Sequence, residues 1–335
     1  MIILVTGAGG FLGTHICESL LDAGCDDLRM HFRNKPPDGR VAALQARYAN
    51  ARITTVSGNL LGRGRLEALV ANADCIVHAA AALRGSTADM FANTVVGTRN
   101  LLEAACAASV RRIVLISSFS VYRTESLTSG ALHDESLEVE AVGADKGAYA
   151  YAKTRQEHLF EEFRQRFNFE SAVLRPGVIY GPGGSPFSSR VGIRAFGLFF
   201  ALGGRATLPL SYVENCADAV ACAALHAPNG GTYNVVDDDL PSCREYLRQY
   251  RRAVGPLRTL PVPYGILLLG ARMLVRYYRK SKGQLPAVFT PYTVRSMYRP
   301  LRYSNAALKK LGWRQHVPTA EGLARSFRYW REHQS

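Results

Sequence analysis

The first half of the chain alternates short, continuously apolar runs with longer segments in which apolar residues recur every three or four positions. Residues 2–5 are all apolar, which is typical of a parallel strand buried on both faces. After a glycine-containing turn, residues 11–23 have helical periodicity. The chain is therefore expected to begin with a strand, a glycine turn and a helix.

The same alternation continues to about residue 180. Helical spacing is found at 88–108 and 149–167, and the apolar runs expected to form strands lie at 28–32, 53–56, 75–79, 112–116 and 171–175. Strands that alternate with helices imply right-handed crossovers and a parallel sheet. The pattern predicts an α/β fold with a Rossmann-type, doubly wound parallel sheet.

Beyond residue 180 the pattern is looser, with an apolar stretch at 196–202 and short strand-like runs at 208–213 and 232–236. We expect residues 1–180 to form a dinucleotide-binding domain, with returning pieces near 208–236. Residues 181–207 and 237–335 are expected to form a smaller α+β substrate-binding lobe.

Composition narrows the class of ligand. The 41 Lys and Arg exceed the 27 Asp and Glu by 14, which favours dinucleotides, nucleotide-linked substrates or anionic lipid. No recognition helix or aromatic RNA-binding signature accompanies this charge, so nucleic acid is not expected. The seven cysteines are scattered without a Cys-x-x-Cys pair. We therefore predict reduced thiols in a cytoplasmic protein, with neither a disulfide framework nor a metal site.

The turn after the first strand contains Gly7, Gly10 and Gly13 in a Gly-x-x-Gly-x-x-Gly pattern. Where side chains are missing, the backbone and the helix N-terminus can approach a pyrophosphate. A tight turn with close helix packing would need the same residues. The strand-to-helix context favours dinucleotide binding over that alternative.

The end of the second strand bears on cofactor choice. NAD-binding sites place an acidic residue there, but residues 31–35 contain none. Arg33 can instead pair with a 2′-phosphate, supported by Lys35 or Arg40. NADP(H) is therefore favoured over NAD(H); the alternative is a basic loop in solvent.

Three residues indicate proton-transfer chemistry. Tyr149 and Lys153 are four residues apart, so on a helix both side chains face one ligand. A nearby ammonium favours the phenolate and lowers the pKa of tyrosine. Ser118, at the end of a predicted strand, can orient the substrate oxygen. The ordinary alternative is that Tyr149 and Lys153 are surface residues and that Ser118 is a turn residue. Their occurrence together with the glycine motif favours a hydride-transfer site.

These residues resemble the extended short-chain dehydrogenases/reductases of the NAD-dependent epimerase/dehydratase superfamily. The resemblance covers nearly the whole chain, and the matching stretches are residues 6–13, 58–60, 78–81, 97–98, 117–122, 149 with 153, 175–177, 180–182 and 311–313. It implies that Ser118 is catalytic, that Tyr149 is the general acid/base, and that Lys153 holds the nicotinamide ribose and lowers the tyrosine pKa.

The resemblance also implies that Asn59 and Leu60 lie beside the adenine and that Ala79, Ala80 and Ala81 line the cofactor. Together with the residue-based assignments, the expected cofactor-binding residues are Gly7, Gly10, Phe11, Leu12, Gly13, Arg33, Asn59, Leu60, Ala79, Ala80, Ala81, Tyr149, Lys153, Pro176 and Val178. The chain departs from the family pattern at Asn59, where an acid is common, and at Thr94, where Asn is common but occurs one residue earlier, at Asn93.

The residues after Ser118 indicate the reaction. Related dehydratases carry Asp and Glu beside the catalytic residue, whereas residues 118–122 contain no carboxylate. An exchangeable NADPH suits net reduction. We therefore predict an NAD(P)H-dependent oxidoreductase that interconverts a secondary alcohol and a ketone. The alternatives are a nucleotide-sugar 4-epimerase and, in another class, a non-catalytic NADP(H)-sensing regulator.

The substrate is predicted to be nucleotide-sugar or sterol-like. Leu208 stands where nucleotide-sugar members place a phosphate-binding Arg, but Arg295 lies where a second one falls. Arg190, Arg194 and Arg205 are alternative phosphate-binding residues, so a nucleotide-sugar substrate stays open. Ser118 and Arg295 are thus the expected substrate-binding residues. In the C-terminal half, residues 212–215, 262–275, 289–291 and 311–313 resemble the 3β-hydroxysteroid dehydrogenase-like branch. That branch handles apolar alcohols and ketones and often sits on membranes.

Two partners are expected besides the substrate. The basic-ended helix predicted at 266–279 can lie in an anionic lipid interface as a peripheral membrane contact, or can pack on the substrate lobe. The resemblance implies a homodimer formed through the helices at 88–108 and 149–167.

Overall fold

The computed structural model describes residues 1–36, 39–142, 146–280 and 289–333, without the side chains of 278–280. The strands are β1 Ile2–Thr6, β2 Asp27–Phe32, β3 Arg52–Ser57, β4 Cys75–His78, β5 Arg112–Ile116, β6 Leu132–His133, β7 Glu170–Pro176, β8 Val178–Tyr180, β9 Gly192–Ala195, β10 Leu198–Ala201, β11 Leu210–Tyr212, β12 Gly231–Val235, β13 Thr259–Pro261 and β14 Arg302–Tyr303.

The helices follow the strands along the chain. They are α1 Phe11–Asp22, α2 Arg40–Arg47, α3 Leu66–Val70, α4 Thr87–Phe91, α5 Gly97–Ala107, α6 Ala148–Phe167, α7 Val213–His226, α8 Cys243–Ala253, α9 Tyr264–Lys280, α10 Pro291–Tyr298, α11 Ala306–Lys310 and α12 Thr319–Glu332. The predicted helix at 88–108 is formed by α4 and α5, joined by the π-helical turn Ala92–Val96.

Seven parallel strands form the central sheet in the order β12-β7-β5-β4-β1-β2-β3, which confirms the predicted doubly wound fold. Burial on both faces explains the continuous apolar run at residues 2–5. Ile3 and Val5 pack into the core on one side of the sheet, and Leu4 packs into the core on the other. All three side chains are fully buried.

The strand order reverses at β1, which lies between β2 and β4. The crevice outside the carboxyl ends of the strands at such a switch point is where this kind of sheet binds ligands. Gly7 follows β1 there, Arg33 follows β2, Ala79 follows β4 and Ser117 follows β5. The sheet therefore gathers the predicted cofactor and catalytic residues at one edge.

The C-terminal region adds a three-stranded sheet, β13-β10-β9, which packs against α9 and α10. The apolar stretch at 196–202 is the second half of the β9–β10 hairpin, and Phe196 and Gly197 form its turn with φ angles of 52° and 73°. Of the two segments expected to return to the main sheet, β12 joins it, whereas β11 pairs with β8. All seven cysteines are free thiols.

Candidate active site

The glycine turn brings three parts of the chain into direct contact. A Cβ atom at Gly7, whose φ is +74°, would lie 2.9 Å from the Ala80 nitrogen at the end of β4. A Cβ atom at Gly13 would lie 2.0 Å from the Gly7 carbonyl oxygen. Helix α1 therefore packs directly on the turn, and its N-terminus faces a cradle that side chains would fill. These residues fit a dinucleotide pyrophosphate.

The other predicted cofactor-binding residues lie at the start of α1 and near the ends of β3, β4 and β7. Phe11 and Leu12 open α1 and are half-buried, while Leu60 is buried and the neighbouring Asn59 is exposed. Ala79, Ala80 and Ala81 directly follow β4. Pro176 ends β7 and Val178 begins β8, where its backbone N–H donates to the Pro209 carbonyl at 2.6 Å.

Arg33 is exposed after β2, and its guanidinium donates a hydrogen bond to the Asn93 side chain. Asn93 in turn donates to the Asp89 carbonyl at 2.8 Å. Arg33 and Asn93 line a cavity of about 650 Å³ together with Arg84. The π-helical turn thus presents Asn93, the residue displaced by one position from the family pattern, directly to Arg33.

Ser118, Tyr149 and Lys153 are brought together at the carboxyl edge of the sheet. Ser118 follows β5, and its hydroxyl lies within hydrogen-bonding reach of the half-buried Tyr149 phenol. The Ser118 hydroxyl also accepts a hydrogen bond from the Ser120 backbone N–H at 3.2 Å. Tyr149 and Lys153 lie in the first two turns of α6. A strand end and a helix start therefore place the three groups at the same edge of the sheet as the glycine cradle.

Burial shifts the pKa values of Lys153 and Tyr149, and the shift of Tyr149 differs from the expectation. Burial lowers the pKa of Lys153 to about 8, and its ammonium donates to the Ile116 carbonyl at 2.7 Å and to Gln156 Oε1 at 2.8 Å. Burial raises the pKa of Tyr149, and the hydrogen bond with Ser118 opposes this rise. Burial therefore governs the direction of the Tyr149 pKa shift in this structure, which is opposite to the expected lowering.

A buried polar network supports Lys153 and was not predicted. Gln156 Nε2 donates to the Thr98 hydroxyl at 2.8 Å, and that hydroxyl lies 2.8 Å from His78 Nε2. His78 Nδ1 lies 2.7 Å from the Thr6 hydroxyl. Burial lowers the pKa of His78 to about 3, so the imidazole is neutral. The network ties Lys153 to β4 and β1. The sequence signal that could have indicated this network is Gln156, which is three residues after Lys153 on the same helix.

Lys146 connects the Ser118 loop to α10 and was also missed. Its ammonium donates to the Ser120 carbonyl at 3.4 Å, lies 3.2 Å from Glu140 Oε1, and sits 5.9 Å from the centre of the Tyr292 ring on α10. Arg295, on the same helix, is half-buried and has no ion-pair partner among the described residues. The structure shows no contact between Arg295 and Ser118.

The fold and this site define the class of the protein as a dinucleotide-binding enzyme of the Rossmann type. The chain belongs to the NAD dependent epimerase/dehydratase family, whose sequence profile matches residues 3–236. Its members include extended short-chain dehydrogenases/reductases, the group that the sequence motifs of this chain resemble.

Similar proteins include reductases and an epimerase. The 2-alkyl-3-oxoalkanoate reductase of Stenotrophomonas maltophilia is 29% identical over 97% of this chain and 98% of its own length. Cinnamoyl-CoA reductase 1 of Petunia hybrida is 28% identical over 54% of this chain; the match spans 55% of that relative, about half its length. UDP-glucose 4-epimerase of Thermus thermophilus, solved with NAD, shares the fold with a TM-score of 0.73 and 21% identity, covering 100% of both chains.

Proposed function

We propose that the protein is an NADP(H)-dependent oxidoreductase that interconverts a secondary alcohol and a ketone. The observation that carries this proposal is that the Ser118 hydroxyl lies within hydrogen-bonding reach of the Tyr149 phenol, one helical turn from Lys153 and at the same edge of the sheet as the glycine cradle. This arrangement offers a hydrogen-bond donor and a proton donor to one substrate oxygen, next to a site that fits a dinucleotide.

The bound cofactor supplies the hydride in reduction and accepts it in oxidation. In the reductive direction the Tyr149 phenol, whose pKa burial raises, gives its proton to the substrate oxygen. The Ser118 hydroxyl orients that oxygen. The Lys153 ammonium, on the same face of α6, stabilises the phenolate that remains.

The pH dependence of ketone reduction follows from Lys153. Its pKa of about 8 means that the ammonium predominates below that pH and is lost above it, while the Tyr149 phenol stays protonated. We expect kcat/KM for the ketone to be constant below about pH 8 and to fall at higher pH. The check is a pH–rate profile in the reductive direction. The same falling limb in a Lys153→Met variant would assign the titration to another group.

The preference for NADP(H) is part of this proposal. Arg33 is exposed at the end of β2, the position at which NAD-binding sites place an acid, and Arg84 lines the same cavity. Arg40 lies close to the start of α1, because its guanidinium donates to the Thr14 hydroxyl at 2.8 Å. Guanidinium groups match phosphate oxygens in geometry and charge, which supports a site for a 2′-phosphate.

Of the two predicted substrate classes, we place the sterol-like or other apolar ketone first. Leu208, which stands where nucleotide-sugar members have a phosphate-binding Arg, is 1% exposed and packs in the core of the substrate lobe. The S. maltophilia relative, similar along its whole length, carries the name of an oxoalkanoate reductase. Both observations favour a ketone with an apolar body over a keto-sugar nucleotide.

The decisive experiment follows nicotinamide absorbance with NADPH and two substrate panels, apolar ketones and keto-sugar nucleotides. We expect net NADPH consumption with apolar ketones. Interconversion of sugar nucleotides without net consumption, by a protein that retains cofactor through purification, would establish the 4-epimerase alternative. NADPH binding with no turnover on either panel would support the non-catalytic regulator.

We also propose the homodimer, formed through the helical segment α4–α5 and through α6. Two apolar side chains on these elements are exposed, Val96 at 38% and Phe167 at 44%, and would supply surface for such a contact.

A further inference from the structure

Exposed apolar side chains are concentrated in one part of the molecule. Fifteen large apolar residues are exposed among the described residues, and nine of them lie between positions 193 and 277. The nine are Ile193, Phe196, Leu260, Tyr264, Ile266, Leu269, Met273, Leu274 and Tyr277. We call their surface the α9–hairpin face. A concentration of this kind usually marks a contact with another molecule.

Helix α9 has two apolar faces with different surroundings. Leu267, Leu268 and Ala271 pack with β10 and α10 in the interior of the lobe. Ile266, Leu269 and Met273 are spaced three and four residues apart and are 62%, 57% and 65% exposed. Tyr277 continues this stripe after one more turn. The helix is thus held in place by one face, and the other is left without a partner in the described chain.

The three-stranded sheet extends this surface. Ile193 is paired with Phe200 across β9 and β10, and Phe200 is paired with Leu260 across β10 and β13, so the three side chains share one face of the sheet. Phe200 packs in the same cluster as Leu267 and Leu268 of α9, while Ile193 and Leu260 are 42% and 48% exposed. At the hairpin turn, Phe196 is 95% exposed.

The charge of this region is one-sided. Between Glu245 and Glu321 the chain has fifteen Lys and Arg and no Asp or Glu. The whole chain has a net charge of +14, so this segment accounts for all of the excess positive charge. Four exposed arginines without an ion-pair partner among the described residues accompany the α9–hairpin face: Arg194, Arg258, Arg272 and Arg276. Arg194 and Arg258 line a cavity with Phe196.

We propose that the α9–hairpin face docks on an anionic lipid bilayer. Apolar and aromatic side chains insert at the acyl boundary, and the arginines extend to lipid phosphates and carboxylates. The stripe from Ile266 to Tyr277 is about 16 Å long, which suits a helix lying in the membrane plane. None of the helices in the described ranges is long and apolar enough to cross a membrane.

Charge complementarity distinguishes this occupant from a second copy of the chain. A dimer through the same face would bring the arginines of two copies together, and like charges repel at such an interface. A bilayer containing anionic lipid offers the opposite charge and an apolar interior in one surface. The proposal is independent of the reaction, because vesicle binding needs neither cofactor nor turnover.

The test is flotation of the full chain with phosphatidylcholine vesicles, with and without phosphatidylglycerol. We expect binding to anionic vesicles that weakens with added salt, and little binding to neutral vesicles. Leu269→Ser combined with Met273→Ser should lower the partition coefficient by roughly tenfold or more. Arg272→Gln combined with Arg276→Gln should lower it by a similar factor on anionic vesicles.

Two matched variants control for general effects. Leu83→Ser removes an exposed apolar side chain elsewhere on the surface, 68% exposed, and Arg65→Gln removes an exposed arginine; both should bind vesicles like the unmodified protein. Equal binding by all variants, or no binding by the unmodified protein, would overturn the proposal. A lipid-free mass that falls from an oligomer to a smaller species in Leu269→Ser/Met273→Ser would show instead that this face joins two copies.

Discussion

Replacing Tyr149 with phenylalanine is expected to lower kcat for ketone reduction by roughly 10²- to 10⁴-fold while NADPH affinity stays near its original value. The phenol oxygen is the group within reach of the Ser118 hydroxyl, and its raised pKa keeps the proton available at neutral pH. Removing this oxygen deletes the proton donor but keeps the aromatic ring that packs at the start of α6. Steady-state turnover and NADPH titration of the same preparation separate the two effects.

Tyr151→Phe is the matched control. Tyr151 lies two residues further along α6, and its ring stacks on Phe91 with centres 5.8 Å apart. The Tyr151→Phe variant also loses a phenol oxygen, but one that lies outside the proposed proton path. Its turnover should therefore be unchanged. A Tyr149→Phe protein that binds NADPH and turns over at the original rate would exclude Tyr149 as the proton donor.

Replacing Arg33 with alanine is expected to raise the Kd for NADPH by roughly 10- to 100-fold and to leave the Kd for NADH nearly unchanged. The guanidinium is exposed and oriented by Asn93, so it can make a charge-assisted hydrogen bond to the 2′-phosphate that NADH lacks. Such a bond contributes about 1.5–3 kcal/mol. Titration of both cofactors by nicotinamide fluorescence measures the difference directly.

The control for this variant is Arg47→Ala, which removes an exposed arginine from the end of α2. Its affinity for both cofactors should match that of the unmodified protein. An equal loss of NADPH and NADH affinity in Arg33→Ala would indicate a general effect on the cavity. Unchanged NADPH affinity would contradict the assignment of Arg33 to the 2′-phosphate.

Local patterns were sufficient to predict the elements of the sheet. The run at residues 2–5 was interpreted as a doubly buried strand, and β1 packs into a separate core on each side. The order of strands and helices then determined the parallel topology, because right-handed crossovers leave few alternatives. The segment at 88–108 was less completely predicted: its helical character was recognised, but not the π-helical turn that carries Asn93 toward Arg33.

The sequence predicts which residues form the candidate site, but not the side-chain contacts that support them. The spacing of Tyr149 and Lys153 placed both on one helix face, and the position of Ser118 at a strand end brought it to the same edge. The polar network beneath them was not predictable, because it joins residues from positions 6 to 156 that become neighbours only in the folded chain. Lys146 was missed for the same reason.

By itself the sequence determined the Rossmann-type sheet, the glycine cradle and the identity of Ser118, Tyr149 and Lys153 as a candidate catalytic group. These follow from spacing along the chain, which a regular strand or helix converts directly into position. Only the tertiary structure decided the directions in which the pKa values of Tyr149 and Lys153 shift, because the loss of solvent depends on neighbours distant in sequence. It also decided that one apolar face of α9 is buried and the other exposed, since helical periodicity alone does not show which face another element covers.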